Sequence, residues 1–171
     1  MQLKTREITW ISLFIVLAII TPIVFHLFGA GLMFLPMFLP IILSGYFLDL
    51  PGAILVGLLA PWVSGVVTGM PPLIPVAPII TVQVVSAVSM VSYLYHRKRI
   101  HYFLCLVAGI VAERFSLILM MYLVAPLLNL PPKLLSWGSF IYSLPGIVLQ
   151  LFVIPVVLLI VWKLEIIPGK T

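Results

Sequence analysis

Glu113 and Arg114 stand side by side inside GIVAERFSLILMMY (residues 109–122), an apolar run long enough to cross a bilayer. A carboxylate and a guanidinium at that depth can bind a solute, relay a proton or lock helices together. A charge at the bilayer centre costs at least ~2.5–3.5 kcal/mol on insertion scales, so such groups normally face protein or water. Adjacent helical residues point in different directions, so Glu113 and Arg114 are not expected to neutralise each other. Each then needs a partner elsewhere. Arg114, with its planar fork, suits a carboxylate or phosphate on a solute.

The supply of partners follows from helical periodicity. Gly109, Ala112, Glu113, Ser116 and Met120 form one small and polar stripe, with Arg114 at its edge. A second stripe runs through Gln83, Ser86, Ser89 or Met90, and Tyr93, and a third through Ser139, Tyr142 or Ser143, Gly146 and Gln150. At ~1.5 Å per residue, Gln83 and Gln150 fall roughly 13 and 21 Å below the outer ends of their helices, and Glu113 and Arg114 ~17 Å below theirs. Three helices thus aim hydrogen-bonding side chains at one depth, either as a solute site or as a network that holds the helices together. Gln83 and Gln150 can donate to or accept from both charged groups. Trp62, Trp137 and Tyr142 could stack on a planar ligand or sit in an interfacial aromatic belt. His26 has the same two readings, and Asp49 is expected to be solvated.

Other chemistries lack their residues. No GxxxxGK[S/T] loop is present, so nucleotide hydrolysis by that route is excluded. His96 and His101 fall in a basic loop away from any carboxylate cluster, which argues against zinc or another metal. Asp49 is the one aspartate, Cys105 the one cysteine, and no serine and histidine share a depth. An aspartate pair, a disulfide framework and a Ser–His hydrolase are therefore not expected. The residues fit a binder or carrier needing no cofactor, not an enzyme.

These side chains must be positioned by membrane helices. Of 171 residues, 64% are hydrophobic and 8% charged, and the mean hydropathy is +1.34. No soluble domain of this size hides so much apolar surface. An all-α integral membrane protein is expected, a single transmembrane domain over 1–171 with six helices at about 8–28, 32–50, 52–68, 74–95, 102–125 and 136–162. The apolar part of the first is too long for the core of a signal peptide. Pro22 should bend or loosen it, and Pro36 and Pro40 should interrupt the second. With six crossings, Lys4, Arg6, Arg97, Lys98, Arg99, Lys163 and Lys170 share one side and only Lys133 lies opposite. Both termini and HRKRIH (96–101) are therefore expected to be cytoplasmic. That placement explains the net charge of +5 through orientation, or contact with membrane lipid headgroups, without nucleic acid. On the other side LMFLPMFLP (32–40), GMPPLIPVAP (69–78) and NLPPKLL (129–135) form semi-rigid proline-rich loops, either the rim of a pocket or plain tight turns.

The run FLPMFLPIILSGYFLDLPGAILVGLLAPWVSGVVTGMPPLIP (34–75) resembles the S components of energy-coupling factor (ECF) transporters. So do QVVSAVSMVSYLYHRK (83–98), GIVAERF (109–115) and PGIVLQLFVIP (145–155), in the same order. The resemblance implies a six-helix protein of a prokaryotic plasma membrane that captures a vitamin or related solute from outside. It implies docking on a transmembrane T subunit and two ATPases, and toppling in the membrane to release the solute. It lends weight to Arg114, Gln150, Gln83 and the loop between the first two spans as solute contacts, with Tyr142 and Trp137 as aromatic candidates. Three positions depart from the family pattern: Phe38 stands where the family has histidine, Gln83 where it has glutamate, and Glu113 where it has glycine. The family's Ala-x-x-x-Ala docking pattern on the first span is reduced here to Ser12 and, out of register, Phe14 with Ala18. A carboxylate-bearing solute such as pantothenate is the expected cargo. Two alternatives are a membrane scaffold of the cell-shape-determining type, whose Glu113/Arg114 network would hold no solute, and an autonomous small carrier with Glu113 as proton relay.

Overall fold

Residues 5–27, 36–120, 122, 141 and 143–164 are described by a computed structural model. Among them α1 spans Thr5–Leu27, α2 Phe38–Phe47, α3 Leu50–Thr68, α4 Val76–Ser92, α5 Tyr102–Leu119 and α6 Leu144–Lys163, and no strand occurs. A single π-helical turn, Tyr93–Arg97, continues α4 to its basic end. Five of these helices, counting α4 with its π turn, are long and apolar enough to cross a membrane.

The expected span 32–50 appears among the described residues as the ten-residue α2, ~15 Å of helix against a hydrocarbon core of ~30 Å. Pro36 precedes it and Pro40 lies in its first turn, where the missing N–H would have had no helical partner. Nearly all of α2 is buried, from Phe38 through Tyr46. It is a core element surrounded by α1, α3, α4 and α6. By contrast α1 runs unbroken through Pro22. Beside that proline the Thr21 hydroxyl donates to the Leu17 carbonyl of the same helix at 2.5 Å, whereas the carbonyl that Pro22 leaves without a donor is that of Ala18.

Helix α4 is the hub, and glycines let its neighbours approach. A Cβ on Gly45 of α2 would meet Val91 Cγ1 at 3.1 Å and the Val88 carbonyl oxygen at 3.2 Å. One on Gly57 of α3 would meet Val85 Cγ2 at 3.1 Å, and one on Gly109 of α5 would meet Val91 Cγ2 at 2.5 Å. Helices in lipid gain little from hydrophobicity against one another, so contact depends on small residues that bring backbones together.

One end of the bundle is tied by polar and aromatic contacts. The Tyr46 hydroxyl donates to the Tyr102 carbonyl at 2.9 Å, and the Ser92 hydroxyl to the Leu48 carbonyl at 3.0 Å. Tyr46 packs edge-on against Tyr95, and Tyr102 against Trp162. His96 Nδ1 lies 3.8 Å from the Asp49 carboxylate, which is otherwise solvent-exposed as expected. The Glu7 carboxylate approaches Gly52. Residues from α1, the α2–α3 corner, α4, α5 and α6 therefore meet at the end that carries the 97–99 triplet and Lys163.

The proline-rich loop after α3 folds back on that helix. Gly69 terminates α3 at φ 73°, a left-handed conformation that glycine adopts without penalty. Ser64 Oγ then donates to the Met70 carbonyl at 2.7 Å. At Gly65 the loop is so close that a Cβ would fall 2.8 Å from the Pro71 carbonyl oxygen and 2.7 Å from Leu73 Cδ2. A Gly65→Ala variant is expected to lift residues 69–75 off α3, since the clashing oxygen belongs to backbone and cannot rotate away. Faster cleavage or labelling within this loop is the measurement, with the unfolding free energy lowered by about 1–3 kcal/mol.

Candidate functional site

Glu113 and Arg114 are presented by the middle of α5, one turn beyond the Gly109 contact with α4. Of the predicted inward stripe, Gly109, Glu113 and Ser116 are buried and Ala112 and Met120 are half-buried. Arg114, placed at the edge of that stripe by periodicity, is also buried. The stripe on α6 is observed from Ser143 through Gly146 and Gln150, continuing to Ile154 and Leu158. Of the predicted α4 stripe only the upper part faces inward: Gln83 is buried, whereas Met90 and Tyr93 are exposed and the inward face below Gln83 is formed by Ala87, Val88 and Val91.

The central finding corrects an expectation. Arg114 Nη2 donates to Glu113 Oε1 at 2.6 Å, although these residues leave the helix in different directions. The Cβ directions do differ, but the arginine carries three methylenes and a fork, and its head can fold back to a neighbour that its Cβ cannot face. Arg114 Nη1 reaches across to α6 and donates to Ser143 Oγ at 2.5 Å. Among the described residues α6 packs only lightly on α5, and this bond joins the two helices. Ser116 Oγ donates to the Glu113 backbone carbonyl at 2.8 Å and stays within its own helix.

Gln150 is fully buried and its amide lies beside the Glu113 carboxylate. Among the described residues, its Nε2 and Oε1, and Glu113 Oε2, nevertheless meet no partner at hydrogen-bond geometry. Gln83 behaves differently. Its Nε2 donates to the Ile79 carbonyl of its own helix at 3.3 Å, and among the described residues no hydrogen bond joins it to Glu113, Arg114 or Gln150. Three of the four mid-depth groups are thus brought together, with Ser143 added, and Gln83 stands apart.

The remaining candidates separate clearly. Phe38 is 1% exposed in the apolar core at the start of α2. Trp62 and His26 are exposed on the outer faces of α3 and α1, and Trp137 and Tyr142 lie outside the described residues. Of the two docking candidates, Ser12 is exposed and Ala18 is fully buried inside the bundle. Six residues apart on a helix, they occupy different faces, so Ala18 cannot join Ser12 on one docking surface. Among the described residues no group of three or more His, Cys, Asp or Glu side chains could hold a metal. An open apolar groove of about 540 Å³ runs along α6 between Leu144 and Val153, and none of the cluster residues lines it.

Chemically the cluster is a buried ion pair, closed on one side by a serine hydroxyl and flanked on the other by an unsatisfied carboxamide. It can hold and orient a molecule through hydrogen bonds, and it contains no nucleophile–base pairing. Residues 6–158 match the family described as ECF transporter, substrate-specific component. No curated protein and no solved structure matches the chain.

Proposed function

The chain belongs to the substrate-specific components of ECF transporters, which bind substrates for transport and are not enzymes, and from that premise we propose that it captures a vitamin or related small solute from outside the cell. Uptake is then driven by two ATPase partners through a transmembrane T subunit, in a prokaryotic plasma membrane that the chain crosses six times with both termini inside. The observation that carries this reading is the Glu113–Arg114–Ser143 contact with Gln150 buried beside it. A purely structural lock would leave no buried amide and carboxylate oxygen unsatisfied, because each such atom costs about 1–3 kcal/mol. A site that receives a solute leaves them for its ligand. The T subunit is proposed to dock on the exposed side of α1 that carries Ser12.

Native mass spectrometry of the purified full chain tests this reading, with a co-purifying small molecule as the expected result. The informative variant is Glu113→Gln/Arg114→Gln, which removes both charges at once and leaves no uncompensated ion in the core. It is expected to stay folded by circular dichroism and to lose the molecule. Retention of the molecule by this variant would place the site elsewhere.

A further inference from the structure

The closed ion pair bears on what the solute is. Glu113 and Arg114 together carry no net charge, and Ser143 and Gln150 are neutral. The other charged side chains among the described residues, including Arg6, Glu7, Asp49, the 97–99 triplet and Lys163, lie at helix ends. A carboxylate arriving at this depth would have to displace Glu113 from Arg114 or remain uncompensated in a low-dielectric interior, which is strongly unfavourable. A cation would face the mirror-image problem with Arg114.

The unsatisfied atoms narrow the class further. Glu113 Oε2 is an acceptor, Gln150 Oε1 is an acceptor, and Gln150 Nε2 is a donor. All belong to side chains with no solvent exposure. Their complement is a group with N–H donors beside a carbonyl or ring-nitrogen acceptor. A carboxylate offers acceptors only, and its oxygens would oppose Glu113 Oε2 with no proton between them.

We infer that the solute held at this cluster is uncharged overall and presents an N–H donor next to an acceptor, as a lactam, a primary amide or an amino-heterocycle does. The inference rests on the capture reading above and sharpens it. It replaces the carboxylate-bearing cargo expected from the sequence, because Arg114 is already engaged by a carboxylate of its own chain.

The test uses a small-molecule extract of bacterial cells, split by ion exchange at neutral pH into neutral, anionic and cationic fractions. Each fraction is offered to the purified full chain after dialysis, and adducts are counted by native mass spectrometry. The unaltered chain should take its adduct from the neutral fraction, with at least tenfold more adduct than from the anionic one. In Glu113→Gln the guanidinium loses its internal counter-charge, and the preference should move to the anionic fraction. An adduct drawn by the unaltered chain mainly from the anionic or cationic fraction overturns this inference and leaves capture standing. A Glu113→Gln chain that keeps the neutral preference overturns it as well. No adduct from any fraction overturns both readings.

Discussion

Replacing Arg114 with methionine is expected to lower the stability of the purified protein by about 3–5 kcal/mol, the usual loss when one partner of a buried ion pair is removed. The methionine fills much of the volume of the arginine stem, so packing changes little. What changes is that a fully buried Glu113 carboxylate loses its guanidinium at 2.6 Å. Glu113→Gln imposed on Arg114→Met should recover most of the loss, because no uncompensated charge remains. Unfolding of the four proteins in detergent, followed by circular dichroism, completes a double-mutant cycle. A coupling energy near zero would mean that the two side chains act independently, as helical geometry alone suggests. The recovered double variant should still bind no solute, which separates a folding role from a binding one.

Gly109→Val is expected to be the most damaging substitution at a helix contact. Even the first added carbon would sit 2.5 Å from Val91 Cγ2 and 3.2 Å from the Ala87 carbonyl oxygen. The valine side chain can rotate, but the carbonyl belongs to α4 and cannot, so α5 must move outward. Overpacking of this kind costs about 1–3 kcal/mol. The displacement is carried one turn along α5 to Glu113, so solute binding should weaken by more than the stability loss alone accounts for. The smaller Gly109→Ala combined with Val91→Ala supplies the control. It exchanges volume between two facing positions and is expected to restore both properties. If Gly109→Val binds solute normally, α5 does not depend on α4 for its position.

The extent to which this arrangement is legible in the sequence varies from helix to helix, for physical reasons. On α5 the inward face is marked by Gly109, Glu113 and Ser116, residue types that lipid does not favour, and periodicity identifies it correctly. On α6 the sequence Ser143, Gly146, Gln150 does the same. On α4 the inward face below Gln83 consists of Ala87, Val88 and Val91, which are equally acceptable to lipid and to protein. Its more conspicuous Met90 and Tyr93 point outward. Hydropathy likewise cannot distinguish a residue buried in protein from one buried in lipid, so α2 resembles a spanning helix although it is a short core element among the described residues. The Arg114–Glu113 contact is hidden for another reason. Periodicity fixes where a Cβ points, whereas a long flexible side chain chooses its own endpoint. Family membership was legible because the proline and glycine positions between residues 34 and 75 are individually uncommon and occur in order.

The shortness of α2 constrains how the chain is assembled in the membrane. Ten residues cannot hold a stable transmembrane position alone, and the two-residue corner at Leu48 and Asp49 couples α2 closely to α3. During synthesis α2 emerges before the surface that receives it, because its Gly45 packs against Val88 and Val91 of α4, which are made some forty residues later. The Ser44 hydroxyl donates to the Ile41 carbonyl of its own helix, whereas the Tyr46 hydroxyl finds its acceptor, the Tyr102 carbonyl, only when α5 has been made as well. The packing of α2 is accordingly complete only once α4 is in place, with Gly45 against Val88 and Val91.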